Sequence, residues 1–219
     1  MAAPKTLIFL CRHAYPDNPA GVFYGHLPGF GLGALGVRQA LGLGDFLRDY
    51  PVQRFYSSPL LRSRETARLA MSRLDREVPL EIREDLVEAH FGKYIEGIKR
   101  WQVPVRRPLF FLHAVRPGLL PSDESVPEMA ARVDRVCQEA LAACSGEAAV
   151  LVSHADPVKA LWNRHIGQAD WRFHFLDLPK GGFLELEYEG AELRKITPHQ
   201  PVLHDAPGQA GWVEAGSPR

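Results

Sequence analysis

Two short stretches of the chain are apolar almost without interruption, and they constrain the fold more than any other feature. TLIFLC covers residues 6–11 and AAVLVS covers residues 148–153. A strand with one face in water alternates apolar and polar residues, whereas a strand covered on both faces is apolar throughout. Both segments are therefore predicted to be buried strands of a sheet that has helices on both sides.

Helical patterns alternate with strand patterns along most of the chain. Apolar residues recur at helical spacing over about 33–49, over SPLLRSRETARLAMSRL and over 125–144, and another helix is expected after the 148–153 strand. Further strands are predicted at 53–58, 78–82, about 172–178, 182–188 and 191–197. This order predicts an α/β fold, a three-layer α/β/α sandwich with a mostly parallel sheet and an antiparallel edge.

Three helix starts are predicted from capping residues. Ser58 is expected to be the N-cap of the second helix, with Pro59 at its first position. Ser125 begins a capping-box pattern, Ser-x-x-Glu, which is typical of a helix N-terminus. Asp156, followed by a proline, is expected to cap the helix after the 148–153 strand, a role that we prefer to that of a catalytic acid.

Length and composition favour one domain. The chain has 219 residues, of which 46% are hydrophobic, enough for a substantial core. We expect a single α/β domain over residues 1–204. Residues 91–122 are rich in prolines and are predicted to be an inserted, lid-like segment. Residues 205–219, rich in Gly, Ala and Pro, are predicted to be a flexible tail.

The charge balance and the cysteines exclude several classes of protein. Lys and Arg number 26, as do Asp and Glu, so that no overall field attracts nucleic acid or an acidic membrane. No apolar run approaches the ~20 residues that span a bilayer. Three scattered cysteines do not make a disulfide framework. We expect a soluble, cytoplasmic protein without nucleic-acid or membrane partners; its oligomeric state, monomer or homo-oligomer, stays open.

Polar residues follow three of the predicted strands where each strand ends. Arg12 and His13 follow the first strand, Arg62 lies in the first turn after the second, and His154 follows the 148–153 strand. The carboxyl ends of parallel strands lie at one edge of the sheet, where ligands bind in open α/β folds. We therefore expect these four side chains to lie close together.

Such a group suits an anion, and most naturally a phosphoryl group. Guanidinium groups and helix N-termini offer N–H donors and positive charge to phosphate oxygens. A neutral histidine facing that phosphorus can attack it. Taken singly, each residue has an ordinary structural explanation. His13 or His154 could be a hydrogen-bonded surface histidine, and Arg62 could be a charged residue on the surface of a helix. The leaving alkoxide also needs an acid, and the residues themselves do not choose among several carboxylates: Glu81, Glu84, Asp85, Glu88 and Glu96.

Five segments, taken in order, resemble the histidine phosphatase superfamily, the phosphoglycerate mutase-like group, in its phosphatase branch. They are LIFLCRHAYPD, GHLPGFGLGALGVRQA, YSSPLLRSRETA, LVEAHFGKYIEG and VLVSHADPVKAL. Each segment is weakly specific alone, and the ordered set is highly specific. The resemblance implies a phosphoglycerate mutase-like fold.

The resemblance also implies a role for each matching residue. His13 would be the nucleophile and would form a phosphohistidine. Glu88 would be the general acid and base, with Glu96 as the second choice. The phosphoryl oxygens would be bound by three residues: Arg12, Arg62 and His154. Where the family has glycine after each histidine, this chain has Ala14 and Ala155, and Tyr15-Pro16-Asp17 replaces the usual Glu-Thr.

The activity that we predict is that of a metal-independent phosphomonoesterase acting on a small phosphorylated metabolite, without a cofactor. Two alternatives are a phosphoglycerate mutase-type phosphotransferase and a non-catalytic protein that binds a phospho-ligand. A metal hydrolase is disfavoured, because the sequence has no His-x-x-x-His or Cys-x-x-Cys pair. Lysines and arginines of the 91–122 segment could serve a mutase, although most suit a solvated face.

Overall fold

The computed structural model describes residues 3–90, 94–111, 123–203 and 210–214. The strands of these residues are β1 Lys5–Arg12, β2 Val52–Ser57, β3 Leu80–Ile82, β4 Ala148–Ser153, β5 Phe183–Glu189, β6 Glu192–Leu203 and β7 Ala210–Glu214. The α-helices are α1 Ala34–Leu47, α2 Leu61–Met71, α3 Val103–Arg106, α4 Val126–Ala143 and α5 Ala155–His165. Short 3₁₀-helices cover Glu84–Leu86, Arg100–Gln102 and Asp170–Phe175.

The seven strands of the described residues form one sheet in the order β3-β2-β4-β1-β5-β6-β7. β3, β2, β4 and β1 run parallel to one another. β5 pairs antiparallel with β1, and β6 and β7 continue that antiparallel half. The predicted sheet, mostly parallel with an antiparallel edge, is confirmed, and the antiparallel edge consists of β5, β6 and β7.

Helices cover both faces of the sheet, as the apolar strands predict. Ile8 and Leu10 of β1 face a core that includes Val136 of α4 and Leu161 of α5. Phe9, on the other face of the same strand, packs with side chains of α1 and α2. The three-layer α/β/α arrangement is therefore confirmed. No helix among the described residues has the length and apolar character that crossing a bilayer requires.

Glycines inside α1 weaken its helical signal in the sequence, and packing explains two of them. A Cβ atom added to Gly44 would lie 2.2 Å from the carbonyl oxygen of Ala70 in α2. At Gly36 it would lie 2.0 Å from the carbonyl oxygen of Tyr15. Both glycines let α1 approach its neighbours more closely than any residue with a side chain would.

The prediction of a strand at about 172–178 is wrong. Residues Asp170–Phe175 form a 3₁₀-helix instead. Phe173 is buried with Met129 and Ala160 in a small core between α4 and α5, whereas Trp171 and Phe175 are exposed. Aromatic residues are common in strands, but here the ring of Phe173 is inserted between two helices. No strand within the described ranges pairs with this segment.

Two of the three predicted caps are also wrong. The second helix begins at Leu61, after an N-cap at Leu60, and Ser58 hydrogen-bonds to a histidine instead. The last α-helix has His154 as its N-cap, which places Asp156 inside the first turn. The capping box of Ser125 is confirmed, since both of its hydrogen bonds are present.

The ends of the predicted domain and its insertion differ in part from expectation. Residues 210–214 form β7, paired with β6, so the prediction of a loose tail was wrong for them. Part of the predicted lid, 91–93 and 112–122, lies outside the described residues. Its described part hydrogen-bonds to the loop after β1, with Gly97 N donating to the carbonyl oxygen of Phe23 at 2.8 Å. The three cysteines are buried and unpaired.

Candidate active site

The pairing of β1 with β4 brings two histidines together. The two strands are parallel and in register up to Arg12 and Ser153, and the backbone N–H of His13 donates to the carbonyl oxygen of Ser153 at 2.9 Å. The residues that follow the two strands are therefore neighbours. The ring centroids of His13 and His154 lie 5.1 Å apart.

His13 is held as a neutral ring with one defined tautomer. Its side chain is buried, and Nδ1 lies 2.7 Å from the carbonyl oxygen of Ala14. Because a carbonyl only accepts, Nδ1 carries the proton and Nε2 keeps its lone pair. Burial, followed by the charges of Arg62 and Arg12, holds the pKa of His13 well below its usual value. The unprotonated Nε2 is the nucleophilic atom of the ring.

Arg62 lies at the centre of the site although it belongs to a helix. Its side chain is buried, and Nη2 donates to the carbonyl oxygen of Gly25 at 2.9 Å and to Nδ1 of His154 at 3.1 Å. The guanidinium lies over the ring of Tyr24, 4.6 Å from its centroid. The loop after β1 and the helix after β2 thus fix one cation beside both histidines.

Hydroxyl groups hold the ring of His154 from the opposite side. Nε2 lies 2.8 Å from Oγ of Ser58 and 3.3 Å from Oγ of Ser63. Since Arg62 only donates, Nδ1 of the neutral ring accepts and Nε2–H donates to Ser58. The pKa of His154 is well below its usual value, first because of burial and then because of Arg62.

Arg12 completes the positive charge of the site. Its Nη1 donates to the carbonyl oxygen of Leu178 at 2.6 Å. Among the described residues, Nε of Arg12 and Nε of Arg62 are buried without a hydrogen-bond partner. Buried donors are seldom left unpaired. These two N–H groups can therefore donate hydrogen bonds to the oxygens of a bound anion.

Glu88 provides a carboxyl group next to the histidines. It follows the 3₁₀-helix Glu84–Leu86, and its Oε2 lies 3.8 Å from Nδ1 of His154. Burial, with a further contribution from the negative charge of Asp156, raises the pKa of Glu88 to about 7. At neutral pH this carboxyl group can therefore both give and take a proton.

Two of these groups, Arg12 and Glu88, line a cavity of about 160 Å³. Arg12, Glu88 and Asp156 line it together with Tyr24 and Arg100. All five residues predicted for the site thus lie at the ends of β1 and β4 or beside them. Within the part of the chain that the structure describes, no three His, Cys, Asp or Glu side chains are arranged to hold a metal ion.

Glu96, the second choice for the acid, is engaged elsewhere. It lines the same cavity, but its Oε1 accepts the backbone N–H of His26 at 2.6 Å. Ala14 and Ala155, which stand where the family has glycine, fit the backbone without strain, because no residue other than glycine has a positive φ among the described residues.

Sequence reasoning missed several residues that organise the site. Thr66 Oγ1 accepts the backbone N–H of Ala14 at 3.0 Å and donates to the carbonyl oxygen of Arg62 at 2.7 Å, so it connects the strand end to the helix. His26 Nε2 donates to the carbonyl oxygen of Glu88 at 2.9 Å. Thr66 and His26 are part of segments that the sequence singled out, but Tyr24 comes from a part of the loop without a recognisable signal.

The fold and the site together define the class of protein: an α/β protein in which two histidines and two arginines at the carboxyl edge of the sheet form a site for a phosphoryl group. Comparison with known families agrees. The model of the histidine phosphatase superfamily (branch 1) matches residues 8–197. The chain belongs to this superfamily, and the enzyme class predicted from the sequence, a phosphatase, is confirmed.

The chain is also similar to individual known proteins. Rv0525 of Mycobacterium tuberculosis is 30% identical over 205 residues, covering 90% of this chain and 98% of that protein. Adenosylcobalamin/alpha-ribazole phosphatase of Salmonella typhimurium is 39% identical over 88 residues, 40% of this chain and 42% of that protein. The structure of Bacillus stearothermophilus YhfR superposes with a TM-score of 0.77 at 21% identity and covers 86% of this chain and 94% of its own.

Proposed function

We propose that this protein is a metal-independent phosphomonoesterase that hydrolyses a small phosphorylated metabolite through a phosphohistidine on His13. The observation that carries the proposal is the neighbourhood of His13 Nε2. A neutral, buried imidazole stands 5.1 Å, between ring centroids, from a second histidine, to which Arg62 donates a hydrogen bond. A carboxyl group with a pKa of about 7 lies beside them.

Binding of the ester uses the cations of the site. Arg12 and Arg62 donate to the oxygens of the phosphoryl group, and their unpaired Nε–H groups are available for this purpose. His154 lies against the same group. Nδ1 of His154 accepts from Arg62, which keeps this ring and the guanidinium in fixed positions beside the phosphoryl group.

In the first step, Nε2 of His13 attacks the phosphorus. The N–P bond forms while the bond from phosphorus to the ester oxygen breaks. The departing oxygen takes a proton from Glu88, and the alcohol leaves. The arginines stabilise the negative charge of the transition state without moving, because Arg62 is buried and fixed by Gly25 and His154.

In the second step, water releases the phosphate. The carboxylate of Glu88 removes a proton from a water molecule as that water attacks the phosphorus, and the N–P bond breaks. His13 returns to its neutral form, with its proton still on Nδ1 and donated to Ala14. A carboxyl group with a pKa of about 7 suits both steps, since the first needs its acid form and the second its base form.

The substrate class is supported by the shape of the cavity and by the relatives. A cavity of about 160 Å³ with Phe23 and Tyr24 in its lining has room for a small leaving group with an apolar or planar part. A relative named as an adenosylcobalamin/alpha-ribazole phosphatase points in the same direction.

A turnover screen with chelator-treated protein tests the proposal. The protein is dialysed against a strong chelator and offered a panel of phosphorylated metabolites, with His13→Ala measured beside it. We expect release of phosphate that is unchanged by the chelator and absent in the variant. Activity lost with the chelator and restored by a metal would contradict the metal-independent route. Phosphate binding by both proteins with no turnover of any compound would favour a non-catalytic binder.

A mutase would be recognised in the same screen. It would transfer the phosphoryl group between positions of a phosphoglycerate, with little free phosphate formed. We expect hydrolysis to dominate instead.

A further inference from the structure

The turn over residues 178–182 is attached to the catalytic end of β1. Arg12 donates from its side chain to the carbonyl oxygen of Leu178 and from its backbone to that of Gly182, at 2.6 and 2.9 Å. The backbone N–H of Gly181 donates to the carbonyl oxygen of His13 at 3.1 Å. These three bonds fix Lys180, in the middle of the turn, beside the active site.

A buried glutamine, Gln39, connects the same turn to Tyr15, two residues after His13. Gln39 accepts the backbone N–H of Tyr15 at 2.9 Å and donates to the carbonyl oxygen of Lys180 at 3.0 Å. The ammonium group of Lys180 lies over the ring of Tyr15, 4.4 Å from its centroid. Tyr15 belongs to the stretch Tyr15-Pro16-Asp17 that departs from the family pattern.

The charge of Lys180 is not balanced by a carboxylate. Among the described residues it forms no ion pair, and the charges that act on it most are those of Arg12 and Arg100. Burial and then these two cations lower the pKa of Lys180 to about 8, which leaves it mostly protonated at neutral pH. Arg12 and Arg100 both line the cavity that contains Glu88. An anion placed among these cations would relieve their mutual repulsion.

We propose that Lys180, held over Tyr15, binds a second anionic group of the substrate, a carboxylate or a phosphate on the leaving-group side. The transferred phosphoryl group already has its own cations near His13, which is 1% exposed. Tyr15 is 45% exposed, so the ammonium over its ring lies nearer the surface than His13, on the side where we place the leaving group. This inference rests on the proposed function and narrows its substrates to phosphate esters with an additional negative charge.

Two phosphate esters that differ in one group provide the test. The probes are 3-carboxyphenyl phosphate and 3-(hydroxymethyl)phenyl phosphate, which have similar shape and differ in charge. We expect the wild-type protein to prefer the carboxylate in kcat/KM by about tenfold, the effect of one charge-assisted hydrogen bond. Lys180→Met, which keeps the apolar stem of the side chain, should reduce that ratio to about one. Lys195→Met, an exposed lysine on β6, is the matched control and should keep the ratio.

Binding to His13→Ala, measured by calorimetry with the same two esters, separates this inference from the proposed function. A tenfold preference in affinity that disappears in the His13→Ala, Lys180→Met double variant supports the subsite even if turnover is absent. Equal affinities in His13→Ala would overturn it. An equal loss with both esters in Lys180→Met would also overturn it, because Lys180 would then act on the transferred phosphoryl group.

Discussion

The imidazole rings of His13 and His154 lie 5.1 Å apart between centroids, although most of the chain separates them in sequence. The register of β1 with β4 produces this contact, because Arg12 pairs with Ser153 in the last rung of the two parallel strands. Each histidine is the first residue beyond its strand. The site is thus a direct consequence of parallel pairing at the centre of the sheet, where β1 and β4 lie side by side.

The role proposed for Glu88 predicts that the loss of activity in a Glu88 variant depends on the leaving group of the substrate. Glu88→Gln keeps the shape of the side chain but cannot donate a proton in the same way. We expect kcat/KM for an alkyl phosphate to fall by about 10²–10⁴-fold. For 4-nitrophenyl phosphate, whose leaving group needs little protonation, the fall should be much smaller. Steady-state kinetics with both substrates measures the difference.

Glu96→Gln is the control for this experiment, since Glu96 lines the same cavity and accepts from His26. Its effect should be similar for the two substrates. The assignment is wrong if Glu96→Gln shows the leaving-group dependence and Glu88→Gln does not.

The raised pKa of Glu88 predicts the pH profile for an alkyl phosphate. The first step needs the protonated carboxyl group, so the rate should fall as the pH rises through about 7. The charge of Asp156 contributes to this pKa. Asp156→Asn removes that charge, lowers the pKa of Glu88 and should move the alkaline limb to lower pH by about 0.5–1 unit.

Asp170→Asn, an exposed change outside the cavity, serves as the control for the pH profile and should leave the limb in place. If the alkaline limb of Asp156→Asn keeps its position or moves to higher pH, Asp156 does not raise the pKa of Glu88.

Thr66 is predicted to hold the end of β1 in place for catalysis. Its hydroxyl accepts from Ala14 N–H and donates to the carbonyl oxygen of Arg62, and the side chain is buried. Thr66→Val has nearly the same volume but leaves a buried N–H unpaired, at a cost of about 1–3 kcal/mol of unfolding free energy. We also expect kcat to fall more than KM rises, because Nδ1 of His13 is bonded to the same residue, Ala14.

Thr66→Ser separates the two effects, because it restores the hydroxyl and loses only a methyl group. Activity should return to near the wild-type value in Thr66→Ser. Denaturant unfolding measures the stability of each variant. If Thr66→Val unfolds like the wild type and has its kcat, the hydroxyl does not position the site.

The buried strands are the part of the fold that the sequence predicts best. The strand predicted at 148–153 is β4, Ala148–Ser153, and the one predicted at 6–11 lies within β1. Their apolar residues are uninterrupted because both faces are covered, and this is a local signal. Capping was harder to predict. Ser58 and Asp156 both have capping side chains, but Ser58 hydrogen-bonds to His154, from a distant part of the chain. The helix after β4 begins at Ala155, with His154 as its N-cap, so Asp156 lies inside the first turn.

From the sequence alone, only the site residues that lie at or just after the ends of strands can be predicted. The general rule for parallel sheets brings Arg12, His13, Arg62 and His154 together without any knowledge of the family. The choice of Glu88 among neighbouring carboxylates came from the family resemblance alone. Its burial and its distance from His154 depend on how the loop after β3 folds back. Lys180 was missed for the same reason, since its place depends on the hydrogen bonds of a turn to β1.

The measurement that most directly tests the central claim is the detection of a phosphoenzyme. Glu88→Gln, which should slow the attack of water, is mixed with 4-nitrophenyl phosphate, quenched in alkali within one turnover, and digested for mass spectrometry. We expect one phosphoryl group on His13, stable in alkali and labile in acid. Neither the label nor turnover should be present in His13→Ala. A label on another residue, or a label of equal amount in His13→Ala, would show that His13 is not the nucleophile.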